Sequence, residues 1–161
     1  MRYIKIYRYI LTIDLCEDSI NNENRSNIIN KVYATYTINK FKILEIEDIV
    51  TKELKNNYDK YKVGDIICET KKYYLIKERA FFEIDYDQHN YSDEYKPIDK
   101  LYYINFFSNY YGLHKSWYDS GQLKEEFYHI NGMCEGLYRE YYENGNIKCE
   151  YYHVNNEIIK L

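Results

Sequence analysis

Long apolar runs are absent from this 161-residue chain, and their absence excludes the usual membrane-spanning and secreted classes. The first 16 residues interrupt their apolar positions with Arg2, Lys5 and Arg8, whereas a secretion signal needs an unbroken apolar run of about 7–15 residues. A membrane-spanning helix needs about 20 successive apolar residues, and the chain has no such stretch. We therefore expect an intracellular, cytoplasmic protein without a signal peptide or a transmembrane segment.

Net positive charge and catalytic motifs are also lacking. The 22 Lys and Arg residues against 26 Asp and Glu residues give a net charge of -4, which argues against binding to nucleic acid through bulk charge. Phosphate-binding loops, nucleophile elbows and zinc signatures do not occur in the sequence. The sequence therefore predicts a protein that is not an enzyme and that needs no cofactor.

Cysteine, proline and glycine are scarce, with four, one and six residues respectively, whereas tyrosine is abundant at 23. No C-x-x-C pair occurs, so the cysteines are expected to be reduced structural thiols. An excess of residues with A+T-rich codons indicates a biased genome, so most tyrosines need no functional explanation. Five of the six glycines lie in the last 50 residues, a distribution typical of many short strands joined by turns.

The first part, residues 1–97, is predicted to be an α+β part of unknown role. Its apolar and β-branched segments predict several strands, and a short helix is predicted to begin within 77–83. The apolar residues of 41–57 recur about every 3.6 residues, the period of an α-helix, which allows a helix in the second half of that segment. The acidic, turn-rich segment 85–97 is the best linker. The predicted strands lie within 3–15, 31–38, 60–69 and 72–77.

An internal repeat fills the second part, residues 98–161. Residues 112–131 and 136–155 align without a gap at an offset of 24, and nine of the 20 aligned pairs are identical. We divide this part into a degenerate unit at 98–111 and two full units at 112–135 and 136–161. Since terminal repeats of stacked arrays are usually atypical, the degenerate unit is a plausible cap.

Each full unit has the pattern of a β-hairpin. Asp-Ser-Gly at 119–121 and Glu-Asn-Gly at 143–145 are typical hairpin turns, and Asn131-Gly132 leads into the next unit. The chain is therefore predicted to be α+β, mainly β, and to end in an antiparallel sheet of stacked hairpins. The glycines assigned to the repeat turns are Gly112, Gly121, Gly132, Gly136 and Gly145.

Period-2 alternation predicts which side chains share a face of this sheet. Leu113, Trp117, Leu123 and Phe127 are expected to pack on one face, and their counterparts 24 residues later are expected to do the same. The tyrosines of the other parity then point outward, and aromatic side chains with a polar tip are common at interfaces. The predicted contact face consists of Tyr118, Tyr128, Tyr142 and Tyr152.

The repeated pattern resembles the MORN repeat (membrane occupation and recognition nexus), in the variant Y-x-N-G-x-L/I-K-x-E-x-x-Y. This variant occurs in bacterial proteins described as antitoxins and in proteins of large DNA viruses. The match covers about residues 101–161. The resemblance implies an open sheet of stacked hairpins that associates with proteins or lipid head groups. It also leaves open a viral origin, with the protein in an infected host cell.

Three histidines of the array, His114, His129 and His153, suggest either a metal site or residues that were duplicated with the repeat. No second ligand lies at metal-site spacing, so we predict no metal site. The leading function is a non-enzymatic scaffold that binds a protein partner through an aromatic sheet face. The alternatives are peripheral association with phospholipid head groups and an antitoxin-like binding role. A third hypothesis is an enzyme whose site lies in residues 1–97, which a deep pocket lined by converging titratable residues would indicate. The oligomeric state is left open, and no nucleic acid partner is expected.

Overall fold

A computed structural model describes residues 1–82, 111–131, 133–155 and 157–159, and within them the chain is mainly β with one short helix. These residues form two compact units. The first holds residues 1–82 together with Asp119–Gly121, and the second holds residues 111–118 and 122–159. The predicted linker at 85–97, the boundary after residue 97, Gly132 and nearly all of the degenerate unit lie outside the described residues.

The first unit is built on a five-stranded sheet. Its strands follow the order β1-β2-β4-β5, and β8 pairs with β4 beside this path. Two further pairs, β3 with β9 and β6 with β7, complete the strands, and α1 follows them. The elements are β1 (Arg2–Ile6), β2 (Tyr9–Leu15), β3 (Tyr36–Ile38), β4 (Phe41–Asp48), β5 (Leu54–Lys55), β6 (Asn57–Tyr58), β7 (Tyr61–Lys62), β8 (Ile66–Ile67), β9 (Lys71–Tyr73) and α1 (Lys77–Phe81).

The core of the first unit consists of aliphatic and aromatic side chains from its central strands. Leu11, Phe41, Ile43 and Ile46 are completely buried where β2 and β4 pair. Burial of this apolar surface is the main force that stabilises the unit. The same core includes Ile4, Ile13, Tyr36, Ile38 and Tyr73.

A half-buried ionic cluster lies at the edge of this core. The Glu23 carboxylate accepts hydrogen bonds from Arg2 Nε at 2.7 Å and from the Tyr73 hydroxyl at 2.6 Å. Burial raises the pKa of Glu23, but the hydrogen bonds from Arg2 and Tyr73 outweigh burial and leave the pKa below its ordinary value. The carboxylate therefore stabilises the fold in its ionised form.

The strand predicted at 3–15 is in fact a hairpin of two strands. Tyr7 adopts a left-handed conformation with φ of 54°, and the chain reverses between β1 and β2. Arg8 in this turn reaches the buried Asp48 carboxylate, with Nη2 and Oδ2 2.6 Å apart. The turn was missed because neither Tyr7 nor Arg8 is a typical turn residue.

The helix allowed in the second half of 41–57 is wrong, since this segment holds the strand β4 and then a turn before β5. Ile13 of β2 lies opposite Ile43, whereas Thr12 lies opposite Glu45, so Leu44 is an extra residue in β4. Such a bulge moves the next buried residue from position 45 to Ile46. Ile43 and Ile46 are three residues apart because the strand has a bulge between them, and this spacing resembles that of a helix.

The short turn Asp119–Gly121 belongs to the first unit and is closely packed there. Ser120 is 1% exposed, and its carbonyl accepts hydrogen bonds from the backbone N–H groups of Ile29 and Asn30, both at 2.9 Å. The Asp119 carbonyl accepts hydrogen bonds from the backbone N–H of Thr35 and from the guanidinium group of Arg25. The segment 25–35 thus satisfies the polar backbone of this turn.

The second unit is a five-stranded antiparallel sheet in the order β10-β11-β12-β13-β14. Every residue pair between β10 and β11 recurs between β12 and β13 at an offset of 24, and the register shift falls at the same place in both. The two hairpins are therefore structural copies. The strands are β10 (Gly112–Trp117), β11 (Leu123–Ile130), β12 (Met133–Tyr141), β13 (Ile147–Val154) and β14 (Glu157–Ile159).

Among the described residues, no helix is long and apolar enough to cross a membrane.

Candidate binding surface

One face of the second sheet carries apolar and aromatic side chains from all five strands, with Glu135 of β12 opposite Tyr128 of β11. Opposed residues of an antiparallel pair share a face, and Leu113 lies opposite Tyr128, Leu137 opposite Tyr152, and Tyr152 opposite Ile159. We name this surface the Tyr128 face and define it by Leu113, Tyr128, Leu137, Tyr152 and Ile159.

The Tyr128 face is exposed at three of its five residues. Tyr128, Tyr152 and Ile159 are 50%, 43% and 52% exposed, while Leu113 and Leu137 are half-buried. A row of exposed aromatic and aliphatic side chains of this kind is typical of surfaces that associate with another molecule.

A charged row runs beside the apolar row on the same face. Lys115 lies opposite Glu126, Glu126 opposite Arg139, and Arg139 opposite Glu150, so the charges alternate across four strands. Arg139 Nε donates to Glu150 Oε2 at 2.6 Å, and its Nη1 lies 3.9 Å from Glu126 Oε1. We name these four residues the charge ladder. Three of its four charges therefore have an oppositely charged partner within the ladder.

The Glu126 position of the ladder receives a second partner from the neighbouring hairpin. The Tyr141 hydroxyl donates a hydrogen bond to Glu126 Oε1 at 2.8 Å. Burial raises the pKa of Tyr141, and the hydrogen bond to Glu126 raises it further. The tyrosine therefore stays a neutral donor to this carboxylate.

The opposite face of the sheet carries an aromatic band formed by His114, Phe127, Tyr138 and Tyr151. Ring centroids lie 4.7 Å apart for His114 and Phe127, 5.5 Å for Phe127 and Tyr138, and 6.2 Å for Tyr138 and Tyr151. The rings contact one another and are buried or half-buried, so the band contributes to packing within the sheet. For this reason the Tyr128 face is the stronger candidate for a contact surface.

His129 and His153 lie on the band side at equivalent positions of the two hairpins. The Nδ1 atom of each is buried without a hydrogen-bond partner, and their rings lie beside Phe127 and Tyr138. Within the part of the chain that the structure describes, no three His, Cys, Asp or Glu residues are grouped to hold a metal ion.

The four predicted contact tyrosines lie in two different environments. Tyr128 and Tyr152 belong to the Tyr128 face, whereas Tyr118 and Tyr142 flank the hairpin turns, each with its N–H bonded across the turn. The Tyr118 hydroxyl donates to the carbonyl of Tyr141 at 2.8 Å and so links the two hairpins. Tyr142 is 51% exposed. The structure thus does not bring the four together on one surface.

The predicted repeat glycines also divide between turns and strands. Gly121 and Gly145 lie in the hairpin turns, as predicted. Gly112 begins β10, and Gly136 lies inside β12 where its register with β11 shifts, so the assignment of these two to turns is wrong.

The predicted sharing of faces is wrong for Phe127 and its counterpart Tyr151, and a bulge in each hairpin is the cause. Tyr128 and Tyr152, which were predicted to point away from the leucine face, lie on that face instead. Trp117 lies opposite Leu123, but Ser116 lies opposite Glu125, so Lys124 is an extra residue in β11. This places Phe127 opposite His114, on the face away from Leu113. In the sequence, the bulges are marked only by the repeated pairs Leu-Lys at 123–124 and Ile-Lys at 147–148. These pairs occur equally in regular strands, so they do not predict a bulge.

Comparisons of the chain with protein-family models, with curated proteins and with solved structures found no match. The resemblance to MORN repeats therefore stays a prediction from the repeated residues.

Proposed function

We propose that the protein is a non-enzymatic binding module that binds a protein partner through the Tyr128 face. The observation that carries the proposal is the exposure of Tyr128, Tyr152 and Ile159 on one face of the sheet, where they lie on β11, β13 and β14. Tyrosine gives a large contact area with a polar tip and is enriched at protein interfaces. An antitoxin-like role would be one form of such binding.

The charges of the second unit support a protein partner over an anionic lipid surface. Its described residues carry four Lys or Arg side chains and seven Glu side chains. Lipid head groups attract clusters of basic residues, and three of the ladder's four members already lie within 4 Å of an oppositely charged member.

Site-specific cross-linking in the producing cell tests the proposal. The full chain carries the photoreactive residue benzoylphenylalanine at position 128, at position 152 or, as a matched control, at position 142. Tyr142 is as exposed as Tyr128, yet it lies at a turn and off the row. We expect a common protein adduct from positions 128 and 152 that the control does not give.

Two results would count against this function. Equal adducts from all three positions would show contact without a preferred surface, and no protein adduct at positions 128 and 152 would exclude a partner there. Co-sedimentation of the wild-type chain with phosphatidylserine vesicles, reduced in Tyr128→Ser but not in Tyr142→Ser, would replace the protein partner with a lipid surface.

A further inference from the structure

The turn of the second hairpin joins a side-chain amide directly to a glycine. Asn144 and Gly145 are both exposed, and the first hairpin has Ser120 and Gly121 at the same two positions. The backbone N–H of Asn146 donates a hydrogen bond to Asn144 Oδ1 at 3.0 Å. The turn thus combines a carboxamide that is polarised by a backbone donor with a following residue that has no side chain.

An asparagine carboxamide can be attacked by the backbone nitrogen of the residue that follows it. The nitrogen of Gly145 would lose its proton and form a bond to Cγ of Asn144, while the bond between Cγ and Nδ2 breaks and ammonia leaves. Water then opens the resulting cyclic imide at either of its carbonyl groups. The products are aspartate, which has the original backbone, and isoaspartate, whose backbone contains an additional methylene group.

Two features of this turn favour the attack, and one opposes it. The Asn146 N–H lies at the oxygen on which negative charge develops, and a fixed donor at such an oxygen lowers the barrier. Gly145 has no Cβ to hinder its nitrogen. Against this, the Gly145 N–H donates to the Tyr142 carbonyl at 2.9 Å. That bond closes an exposed turn, where a single hydrogen bond contributes little net stability, so it opens readily.

Two other exposed asparagines have the same side-chain geometry without the glycine. Oδ1 of Asn21 and Oδ1 of Asn30 each accept a hydrogen bond from the backbone N–H two residues later, both at 3.1 Å. The residues that follow them are Asn22 and Lys31, whose side chains hinder the attacking nitrogen. The combination at Asn144 therefore differs from these two sites in the one property that the reaction needs.

We propose that Asn144 is a site of spontaneous conversion to aspartate and isoaspartate, and that this conversion loosens the second hairpin. The turn is closed by the Tyr142 N–H, which donates to the Asn146 carbonyl at 2.8 Å, and by the bond from the Gly145 N–H to the Tyr142 carbonyl. An additional methylene group in the backbone of residue 144 changes the separation of these groups, so the isoaspartate form does not keep both bonds.

The first hairpin provides an internal comparison. Its turn is closed by the equivalent bond, from the Tyr118 N–H to the Gln122 carbonyl at 2.9 Å. Ser120 stands in place of the asparagine and has no carboxamide to convert. Conversion at position 144 should therefore change the connection between β12 and β13 and leave the connection between β10 and β11 as it is.

Peptide mapping by mass spectrometry of the full chain, aged in mildly alkaline buffer, measures the conversion at each asparagine. We expect conversion at Asn144 to be roughly tenfold or more faster than at Asn21 and Asn30, since small displacements of an attacking group cost large factors in rate. In Gly145→Ala the rate should fall to that of Asn30. Gly64→Ala is the matched control, because Gly64 also has a positive φ, 96°, in open space but follows a valine, and it should leave the rate unchanged.

Amide hydrogen exchange on the aged chain tests the structural consequence. The N–H groups of Tyr142 and Gly145 should lose protection, while the N–H of Tyr118 should keep it. Asn144→Ser copies the first hairpin and cannot convert, so it should keep all three protections after the same treatment. Asn144→Asp has the added charge without the added methylene group, and it should keep them as well.

The proposal is overturned if conversion at Asn144 is no faster than at Asn30, or if it occurs only at Asn131, which also precedes a glycine. Equal slowing by Gly64→Ala would show that the strain of the substitution, and not the attacking nitrogen, sets the rate. Equal loss of protection at Tyr118, or in the Asn144→Asp chain, would show that isoaspartate does not act on this turn. None of these results bears on cross-linking at position 128.

Discussion

Two glycines at equivalent turn positions, Gly121 and Gly145, allow a steric contact to be separated from backbone strain. Both have φ of 87°, a conformation that costs a residue with a side chain about 1–2 kcal/mol. A Cβ at position 145 would meet only the side chain of Gln122, at 3.6–3.8 Å. A Cβ at position 121 would lie 2.0 Å from the backbone oxygen of Asn30 and 2.8 Å from the backbone nitrogen of Ala34.

The backbone overlap in Gly121→Ala can be relieved only if the turn moves away from segment 25–35. Such a movement breaks the two hydrogen bonds from Ile29 and Asn30 to the Ser120 carbonyl, each of which contributes about 1 kcal/mol. We therefore expect Gly121→Ala to lower the free energy of unfolding by about 3–4 kcal/mol. Gly145→Ala should lower it by about 1–2 kcal/mol, because it has the strain alone.

Urea unfolding gives the two free energies, and amide hydrogen exchange locates the change. The N–H groups of Ile29 and Asn30 should lose protection in Gly121→Ala and keep it in Gly145→Ala. Equal destabilisation of the two variants, or unchanged protection of both amides in Gly121→Ala, would refute the steric argument.

Two other predictions concern hydrogen bonds of single side chains. In Glu23→Gln the free energy of unfolding should fall less as the pH is lowered. The pKa of Glu23 is lowered in the folded state, so this carboxylate stabilises the fold above the ordinary carboxyl pKa, and that stabilisation is lost as the pH falls through the pKa of the folded state. Urea midpoints at pH 7 and at low pH measure this, with the exposed Glu17→Gln as control, and equal profiles would contradict it. Tyr118→Phe should lower the free energy of unfolding by about 1 kcal/mol through loss of its 2.8 Å bond to the next hairpin, while Tyr142→Phe should have a smaller effect; the reverse order in thermal unfolding would contradict the proposed link.

Local turn chemistry accounts for what could be predicted from the sequence. Asp-Ser-Gly and Glu-Asn-Gly predicted the two hairpin turns, and the offset of 24 predicted two hairpins, which have the same register. The mainly β fold and the short helix at Lys77–Phe81 were predicted for the same reason, because each depends on neighbouring residues.

Bulges account for the two errors in periodicity. The extra residue Leu44 in β4 produced a spacing that resembles a helix, and the extra residue Lys124 in β11 placed Phe127 on the unexpected face. A bulge depends on how two strands meet, and that information is distant in the sequence. The charge ladder was missed for the same reason, since its members come from four different strands.

The equal register of the two hairpins has an evolutionary consequence. Each hairpin unit ends with the strand direction and the side-chain orientation with which the next unit begins. A whole unit can therefore be duplicated without disturbing its neighbours, because each copy contacts only the next. Gain or loss of single residues within a strand would instead invert every side chain beyond that point. Lineages of this protein should therefore differ in length by complete units or at the turns, with the strands between them constant in size.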